Sequence, residues 1–337
     1  MRRMAVVAAC FAAALACAPT VVANAAPIDS GSAEGDPLVV PDAPHDAGVT
    51  SVTKISPTQS SVFVYSPAMK RDVQVQVLHP VSSASRPSYY LLDGVDADPR
   101  QATWLEKTDI ARFFENKNVN VVLPVGGAAS YYTDWKSIDP VLGVNAWETF
   151  LTKELPPIID AEFHGTGANA VGGLSMGGHA AMNLITRHPD LYRGVAAFST
   201  CANSLDSNAQ QSVRATIASR GGNATNMWGP DNDPDWAQHD PVTNANALRG
   251  KTVYMSVGNG QLRPSDLDSS AALLDSATGI GLELLTLSCT RLYQARLDSI
   301  GIPATFVYRP VGTHSWPYWQ DDLHASWPTV AKALGTS

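Results

Sequence analysis

A serine between two glycines is the residue of this chain best suited to nucleophilic chemistry. Ser175 is the centre of a Gly-x-Ser-x-Gly motif at 173–177, with a short apolar stretch at 168–172 before it and apolar residues at helical spacing after it. Such a motif typically forms a tight strand-to-helix turn that exposes the serine. We predict that Ser175 is a nucleophile and that the backbone N–H of Met176 stabilises an oxyanion.

A serine hydroxyl is a weak nucleophile at neutral pH, so a histidine must accept its proton and a carboxylate must orient that histidine. In hydrolases with this turn, the chain order is serine, acid, histidine. Among the eight histidines, His239 precedes the strand expected before the acid, and His324 falls on a predicted helix. His314 lies in a loop directly after the last predicted strand, and we predict that it is the base.

The acid has several candidates. Asp266 and Asp268 come soon after the predicted strand at 251–257, where the acid of such hydrolases usually lies, and Glu283, Asp275 and Asp298 follow later in the chain. Position alone ranks Asp266 and Asp268 slightly above Glu283 and leaves the choice open.

A second oxyanion donor is expected in an earlier loop. The apolar segment 88–92 ends in Asp93-Gly94, and a backbone N–H from such a loop is the usual second donor. We predict that the N–H of Val95 has this role, although Asp93-Gly94 also fits an ordinary turn. The aromatic loop at 126–135 follows another predicted strand, at the edge where open α/β sheets bind ligands.

Strand and helix patterns alternate along the chain. Apolar or alternating segments predict strands at 62–65, 73–78, 88–92, 119–124, 168–172, 194–198, 251–257 and 302–308. Helical spacing predicts further helices at 108–115, 147–159, 282–297 and 322–334. This order predicts an α/β-hydrolase fold, with a mostly parallel central sheet and helices on both faces. The alternation at 73–78 is typical of an antiparallel edge strand.

The segment 201–249 interrupts this order. Its apolar periodicity is weak, and Asn, Asp, Gly and Pro accumulate in it. Long insertions in compact domains are commonly functional, so we expect this one to lie over the site as a partial lid.

The beginning of the chain has the features of a secretion signal. Two arginines precede an apolar run, and an Ala-Asn-Ala segment provides small residues for cleavage. We predict a signal peptide at 1–25, a flexible leader at 26–50 and one domain at 51–337, in a protein that is secreted or held in the cell envelope. Lipidation at Cys17 is the lesser alternative, because the residue three positions before it is smaller than usual.

The net charge argues against polyanionic partners. The whole chain has a formal charge of −8, and without the predicted signal peptide 21 basic side chains face 31 acidic ones, a charge of −10. We therefore expect no nucleic-acid partner. Cys201 and Cys289 remain in the mature chain, as a disulfide or as two buried thiols. No metal or organic cofactor is indicated.

Several longer motifs resemble those of the mycolyltransferases of mycolic-acid bacteria, the antigen 85 group and its corynebacterial relatives. They extend from about residue 60 to 335, and some are much more specific than the serine motif. The matching stretches are Ser66-Pro67-Ala68-Met69, Tyr90-Leu91-Leu92-Asp93-Gly94, Tyr132-Thr133-Asp134-Trp135, Trp147-Glu148-Thr149-Phe150-Leu151, Met227-Trp228-Gly229-Pro230, Pro264-Ser265-Asp266-Leu267 and Gly312-Thr313-His314-Ser315-Trp316.

The resemblance implies roles for individual residues. It assigns Ser175 as nucleophile and His314 as base, and it favours Glu283 as the acid over Asp266, which becomes a turn-stabilising residue. These assignments are expectations carried over from the family.

It also implies an oxyanion hole and a sugar site. The amides of Val95 and Met176 match the oxyanion hole, and Asp93 and Trp316 match positions that line the sugar site. Asp96 is a departure, since family members often have an arginine there, and this puts the details of sugar recognition in question.

The implied reaction is acyl transfer from trehalose monomycolate, or its shorter corynomycolate equivalent, to a second such glycolipid or to arabinogalactan. A secreted carboxylesterase with the same triad is the first alternative, and it would use water as the acceptor. A protein that binds extracellular matrix is the second alternative.

Overall fold

A computed structural model describes residues 46–267 and 270–336 of the chain. The predicted signal peptide at 1–25 and most of the predicted leader at 26–50 lie outside the described residues. The end of the predicted leader is in a strand, because β1 begins at Gly48 and continues to Ser56. Its residues are mostly exposed, so its composition resembles that of a leader, and only pairing with the next strand makes it part of the sheet.

A nine-stranded sheet forms the centre of the described residues, in the order β1-β2-β3-β5-β4-β6-β7-β8-β9. The first three strands and the β3–β5 pair are antiparallel, and the pairs from β5 to β9 are parallel. The strands after β1 are β2 (Gln59–Ser66), β3 (Arg71–Leu78), β4 (Arg86–Leu92), β5 (Asn120–Pro124), β6 (Gly165–Leu174), β7 (Tyr192–Phe198), β8 (Thr252–Val257) and β9 (Thr305–Tyr308).

The strand at 73–78 is not at an edge. It is part of β3, which lies between β2 and β5, so the expectation of an edge strand was wrong. Its alternation has another cause: Val73, Val75 and Val77 are fully buried on one face, while Gln74 and Gln76 are half-buried on the other.

Helices cover both faces of the sheet, which confirms the predicted α/β-hydrolase fold class. They are α1 (Thr103–Lys107), α2 (Ile110–Phe114), α3 (Trp147–Thr149), α4 (Leu155–Glu162), α5 (Ser175–Arg187), α6 (Ser207–Ala218), α7 (Ala224–Trp228), α8 (Asp235–Gln238), α9 (Ser270–Ser299) and α10 (Trp316–Leu334). A wide helical turn, Phe150–Glu154, joins α3 to α4. None of the described helices is both long and apolar enough to cross a membrane.

Two apolar cores lie on opposite faces of the sheet. Successive side chains of β6 point to alternate faces, so Val171 packs into one core and Ala170 into the other. Helices α1, α2 and α10 pack on the Ala170 side, through residues such as Trp104, Phe114 and Trp327. Helix α10 begins at Trp316, earlier than the predicted residue 322, with Ser315 before it and a proline in its first turn.

The insertion at 201–249 contains three short helices, α6 to α8, around two fully buried tryptophans. Trp228 and Trp236 meet edge to face at 5.1 Å between ring centroids. Asp206 caps α6 by accepting a hydrogen bond of 3.0 Å from the N–H of Asn208. Because each helix is short, apolar periodicity in the sequence is weak even though the segment is ordered.

A disulfide joins Cys201, just after β7, to Cys289 on α9, with the two Cα atoms 4.9 Å apart. This resolves the two sequence-based alternatives in favour of a bonded pair. The bond closes a loop that includes the whole insertion and connects α9 to the carboxyl end of the sheet.

We expect Gly177→Ala to destabilise the fold. A Cβ atom at this position would lie 2.3 Å from the carbonyl oxygen of Asp93, because α5 packs directly on the end of β4. The cost should be roughly 1–3 kcal/mol or more of unfolding free energy, measured by denaturant titration. Gly281→Ala on α9 is the matched control, since nothing lies within 4 Å of its Cβ position. A wild-type unfolding midpoint for Gly177→Ala would contradict this packing.

Removing the disulfide with the double substitution Cys201→Ser and Cys289→Ser should lower the unfolding free energy by about 2–5 kcal/mol, since the crosslink restricts the unfolded chain. Denaturant titration with and without dithiothreitol measures the effect. The reductant should shift the wild type toward the double variant and leave the variant unchanged. Equal midpoints for the oxidised wild type and the variant would show that the bond contributes nothing.

Candidate active site

Ser175 is the first residue of α5, directly after β6. Its φ angle is 51°, in the left-handed region that non-glycine residues rarely adopt. Strain of this kind is typical of a nucleophile turn, because the fold around it holds the serine exposed between strand and helix. Gly94 lies beside it, and a Cβ atom there would be 3.9 Å from the Cβ of Ser175 and 2.8 Å from Leu174.

His314 lies in the loop between β9 and α10, with its ring beside the serine. Its Nε2 atom is 2.8 Å from the Oγ of Ser175, within hydrogen-bond distance. The backbone N–H of His314 donates to the carbonyl of Gly279 at 3.1 Å, and its ring meets Trp319 edge to face at 5.0 Å. These contacts on two sides orient the imidazole toward the nucleophile.

Glu283 is fully buried on α9, and its Oε2 atom lies 3.1 Å from Nδ1 of His314. Its Oε1 atom accepts hydrogen bonds from the backbone N–H of Gly258, from Oγ of Ser199 at 2.9 Å and from Nη2 of Arg309 at 2.9 Å. Burial alone would raise the pKa of Glu283, but the hydrogen bond and charge of His314, together with Gly258 and Arg309, lower it below its ordinary value.

Asp266 does not contact the histidine. Its carboxylate accepts hydrogen bonds from the hydroxyl of Tyr318 and from the backbone N–H of Arg263, the latter at 2.7 Å. Asp268 lies outside the described residues. The structure thus places Glu283, several turns into α9, beside the histidine, and it does not place Asp266 there.

Three other histidines contact groups outside the triad. Nδ1 of His179 donates to the carbonyl of Cys201 at 2.8 Å, and burial lowers the pKa of His179 to about 4. His188 and His239 both approach Glu148, with nitrogen–oxygen distances of 2.6 Å and 3.5 Å. None of these three contacts the nucleophile.

The two expected oxyanion donors lie in the same cavity as the serine. Val95 and Met176 both line it. Met176 is in the first turn of α5, where backbone N–H groups have no partner within the helix. The carbonyl of Val95 accepts a hydrogen bond of 3.2 Å from the N–H of Ala129, which fixes its loop.

The cavity at Ser175 has a volume of about 710 Å³, and one of its walls is apolar. The apolar wall comes from α6 of the insertion, through Ala209 and Val213, and from α9, through Leu282 and Leu285. The insertion therefore forms one side of the site, and a lid over the site stays a prediction. Such a volume is typical of small-molecule sites.

The structure does not place Asp93 on the cavity wall, although the resemblance implied a sugar contact. Asp93 is 1% exposed, and its Oδ2 atom accepts a hydrogen bond of 2.9 Å from the N–H of Thr103 at the start of α1. Burial raises the pKa of Asp93 to about 7. In this conformation the carboxyl group is a helix-capping group, and it is not accessible to a sugar.

Of the aromatic residues near the site, some line the cavity and others are buried in the core. Trp316 is half-buried and lines the cavity, with its ring edge to face against Trp104 and Trp319. Tyr131 also lines the cavity, whereas Tyr132 is 1% exposed and donates to the carbonyl of Gly126 at 3.0 Å. Tyr132 is therefore a core residue.

Sequence reasoning missed three charged or polar residues near the site. Arg220, just after α6, forms an ion pair with Asp96 on the Val95 loop, so a cation lies beside that loop. Ser199 and Arg309 both contact the carboxylate of the triad. Each of these two directly follows a parallel strand, the position where α/β folds concentrate functional residues, and that signal could have identified them. No group of three or more potential metal ligands occurs in the described part of the chain.

The model of the family "Putative esterase" matches residues 66–330. The diacylglycerol acyltransferase/mycolyltransferase Ag85A of Mycobacterium leprae is 33% identical over 287 residues, which cover 81% of this chain and 83% of the relative. The protein of the same name from Mycobacterium tuberculosis strain H37Rv is 34% identical over 284 residues, 81% of each chain.

Solved structures agree with the fold. Mycobacterium tuberculosis MPT51 (FbpC1) matches with a TM-score of 0.66 and 26% identity, over 80% of this chain and 96% of that one. An S-formylglutathione hydrolase from Agrobacterium tumefaciens has a TM-score of 0.64 at 18% identity, over 86% of this chain and all of that one, a likeness of fold alone. The protein described here is thus an enzyme of the acyltransferase or hydrolase class, and the chain belongs to the antigen 85 family of mycolyltransferases.

Proposed function

We propose that this enzyme transfers a mycoloyl or corynomycoloyl group from trehalose monomycolate, or its shorter equivalent, to a second trehalose glycolipid or to arabinogalactan. The observation that supports this most strongly is the hydrogen-bonded chain from Ser175 through His314 to the buried Glu283, in which Ser175 and His314 line a cavity with an apolar wall. The relatives are named acyltransferases and mycolyltransferases, and these names support the choice of a mycoloyl group and of transfer as the reaction.

In the first step, Nε2 of His314 accepts the proton of Ser175 as Oγ attacks the ester carbonyl of the donor. Glu283 stabilises the resulting imidazolium through Nδ1. Negative charge develops on the carbonyl oxygen, and the backbone N–H groups of Val95 and Met176 are the donors assigned to it. The imidazolium then protonates the departing trehalose oxygen, and the acyl group stays on the serine.

In the second step, a sugar hydroxyl enters in place of trehalose. His314 accepts its proton as the hydroxyl oxygen attacks the acyl-serine ester, and returns the proton to Ser175 as the product leaves. The same groups would let water act as acceptor, so transfer depends on binding a sugar and excluding water. The apolar wall from α6 and α9 suits the acyl chain, and the ring of Trp316 offers a face for the sugar.

Export is part of the proposal. Trehalose glycolipids and arabinogalactan are components of a cell envelope, and the predicted signal peptide at 1–25 would deliver the enzyme there. A disulfide between Cys201 and Cys289 is consistent with an oxidising compartment.

A secreted carboxylesterase is the second candidate. The matching family is described as a putative esterase, and the triad geometry is the same for either reaction. The difference lies in the acceptor, and only an acceptor measurement separates the two.

We expect the mature protein, incubated with a trehalose monoester and isotope-labelled trehalose, to incorporate label into the monoester. Ser175→Ala and His314→Ala should each reduce incorporation by roughly 1,000-fold or more, because these groups form and resolve the acyl-enzyme. Mass spectrometry of the glycolipid fraction measures the label.

Release of free fatty acid without labelled ester would show that the enzyme hydrolyses the ester and does not transfer the acyl group to a sugar. Absence of turnover with every ester tried would favour the matrix-binding alternative.

The identity of the acid is a separate prediction. Glu283→Gln should lower kcat roughly 100-fold or more, because a neutral amide cannot stabilise the imidazolium. Asp266→Asn is the matched carboxylate-to-amide control, and it should cost less than about tenfold, since Asp266 bonds to Tyr318 and Arg263 and not to the histidine. Steady-state hydrolysis of a p-nitrophenyl ester measures both, and the opposite order of effects would reassign the acid.

A further inference from the structure

One arginine lies between two buried carboxylates behind the triad. Arg309 directly follows β9, and its N–H donates to the carbonyl of Val257 at 2.8 Å, which continues the strand. Its Nη2 atom is 2.9 Å from Oε1 of Glu283, and its Nε atom is 3.4 Å from Oδ1 of Asp322 on α10. The side chain of Arg309 is 10% exposed, and those of Glu283 and Asp322 are 0% and 2% exposed.

The guanidinium group of Arg309 lies closer to the carboxylate of Glu283 than to that of Asp322. Burial raises the pKa of Asp322 to about 7, although the charge of Arg309 opposes that rise. The pKa of Glu283 is instead lowered despite its burial, chiefly by the hydrogen bond and charge of His314, with smaller contributions from Gly258 and Arg309. The closer, hydrogen-bonded contact of Arg309 is the one to Glu283, so its geometry is directed at the triad acid.

Ser199 supports the same oxygen from another direction. It lies at the end of β7, is fully buried, and has a φ angle of 46°. Its N–H donates to the carbonyl of Ser256 at 2.8 Å, and its Oγ donates to Oε1 of Glu283 at 2.9 Å. Nη2 of Arg309 is 3.3 Å from that same Oγ. A strained backbone that directs one hydroxyl at the triad acid is the kind of strain found at functional sites.

We propose that Arg309, with Ser199, is a positioning residue that holds Glu283 ionised and directed at His314. The proposal rests on the proposed catalytic role of Ser175, His314 and Glu283. Arg309 does not touch the reacting atoms. By keeping the carboxylate charged, it keeps the proton of His314 on Nδ1, so that Nε2 is free to accept the serine proton.

Apart from Arg309 and the imidazole of His314, no cationic side chain forms a described ion pair with Glu283 or Asp322. Tyr318 on α10 offers its ring face to the guanidinium at 5.1 Å. The titratable and charged groups that face Arg309 from the elements packed around it are Glu283 on α9, Asp322 and Tyr318 on α10, and Tyr254 on β8.

The test is the pH dependence of p-nitrophenyl ester hydrolysis by Arg309→Met. Without the cation, burial of Glu283 is less opposed, so its pKa rises and the carboxylate is protonated as the pH falls. The acidic limb of kcat/KM should therefore move up by about one pH unit or more, with kcat at pH 6 reduced roughly tenfold or more and KM little changed. Arg309→Lys, which keeps a charge, should give a limb closer to wild type.

Arg291→Met is the matched control, because Arg291 is exposed on α9 and its guanidinium faces Tyr308, away from the triad. Its pH profile should be that of the wild type. A folded Arg309→Met variant with a wild-type acidic limb and kcat would overturn the proposal. If Arg309→Met does not fold, Ser199→Ala takes its place: an upward shift of the limb supports the proposal, and an unchanged limb overturns it.

Ser175→Ala separates this inference from the proposed function. Retention of ester hydrolysis by Ser175→Ala would refute the catalytic site itself. Loss of hydrolysis in Ser175→Ala beside an unaffected Arg309→Met would refute only the role of Arg309.

Discussion

An ionised carboxylate with no exposure to water is the constraint on which the rest of the site depends. Glu283 can stay charged inside the protein because four groups from three segments, those after β7, β8 and β9, converge on its two oxygens. His314 is one of the four, so the contact proposed for catalysis is also one of the contacts that stabilise the buried charge. A change at any of these segments affects both the stability of the fold and the orientation of the base.

The parallel part of the sheet explains how these segments meet. Parallel strands end at one edge, so the residues after β6, β7, β8 and β9 are neighbours although they are far apart in sequence. The residue directly after each of these four strands contributes to the site, and these residues are Ser175, Ser199, Gly258 and Arg309. Helix α9 then crosses this edge and adds the acid. The disulfide to Cys289 attaches the same helix to the residues after β7.

If the enzyme transfers acyl groups as proposed, the residues around Ser175, His314 and Glu283 would select the acceptor. The insertion supplies α6 as one wall of the cavity, and Arg220 after it pairs with Asp96 on the oxyanion loop. Exposed ion pairs of this kind are weak, typically 0–1 kcal/mol, so a polar headgroup can compete with the pair. In the proposed reaction, Ser175, His314 and Glu283 carry out the acyl transfer, and these surrounding residues would determine which hydroxyl accepts the acyl group.

Local patterns in the sequence determined the strand-to-helix turn at Ser175, the place of His314 after the last strand and the alternation that makes an α/β fold, because these depend on neighbouring residues. Resemblance in the motifs, and not position, identified Glu283. Tertiary structure alone decided that β3 is internal, that Asp93 is buried under α1, and that Arg309 and Ser199 surround the acid. The reason is physical: the end of a parallel strand marks where functional residues concentrate, but which of them compensates a buried charge depends on contacts between segments that are distant in sequence.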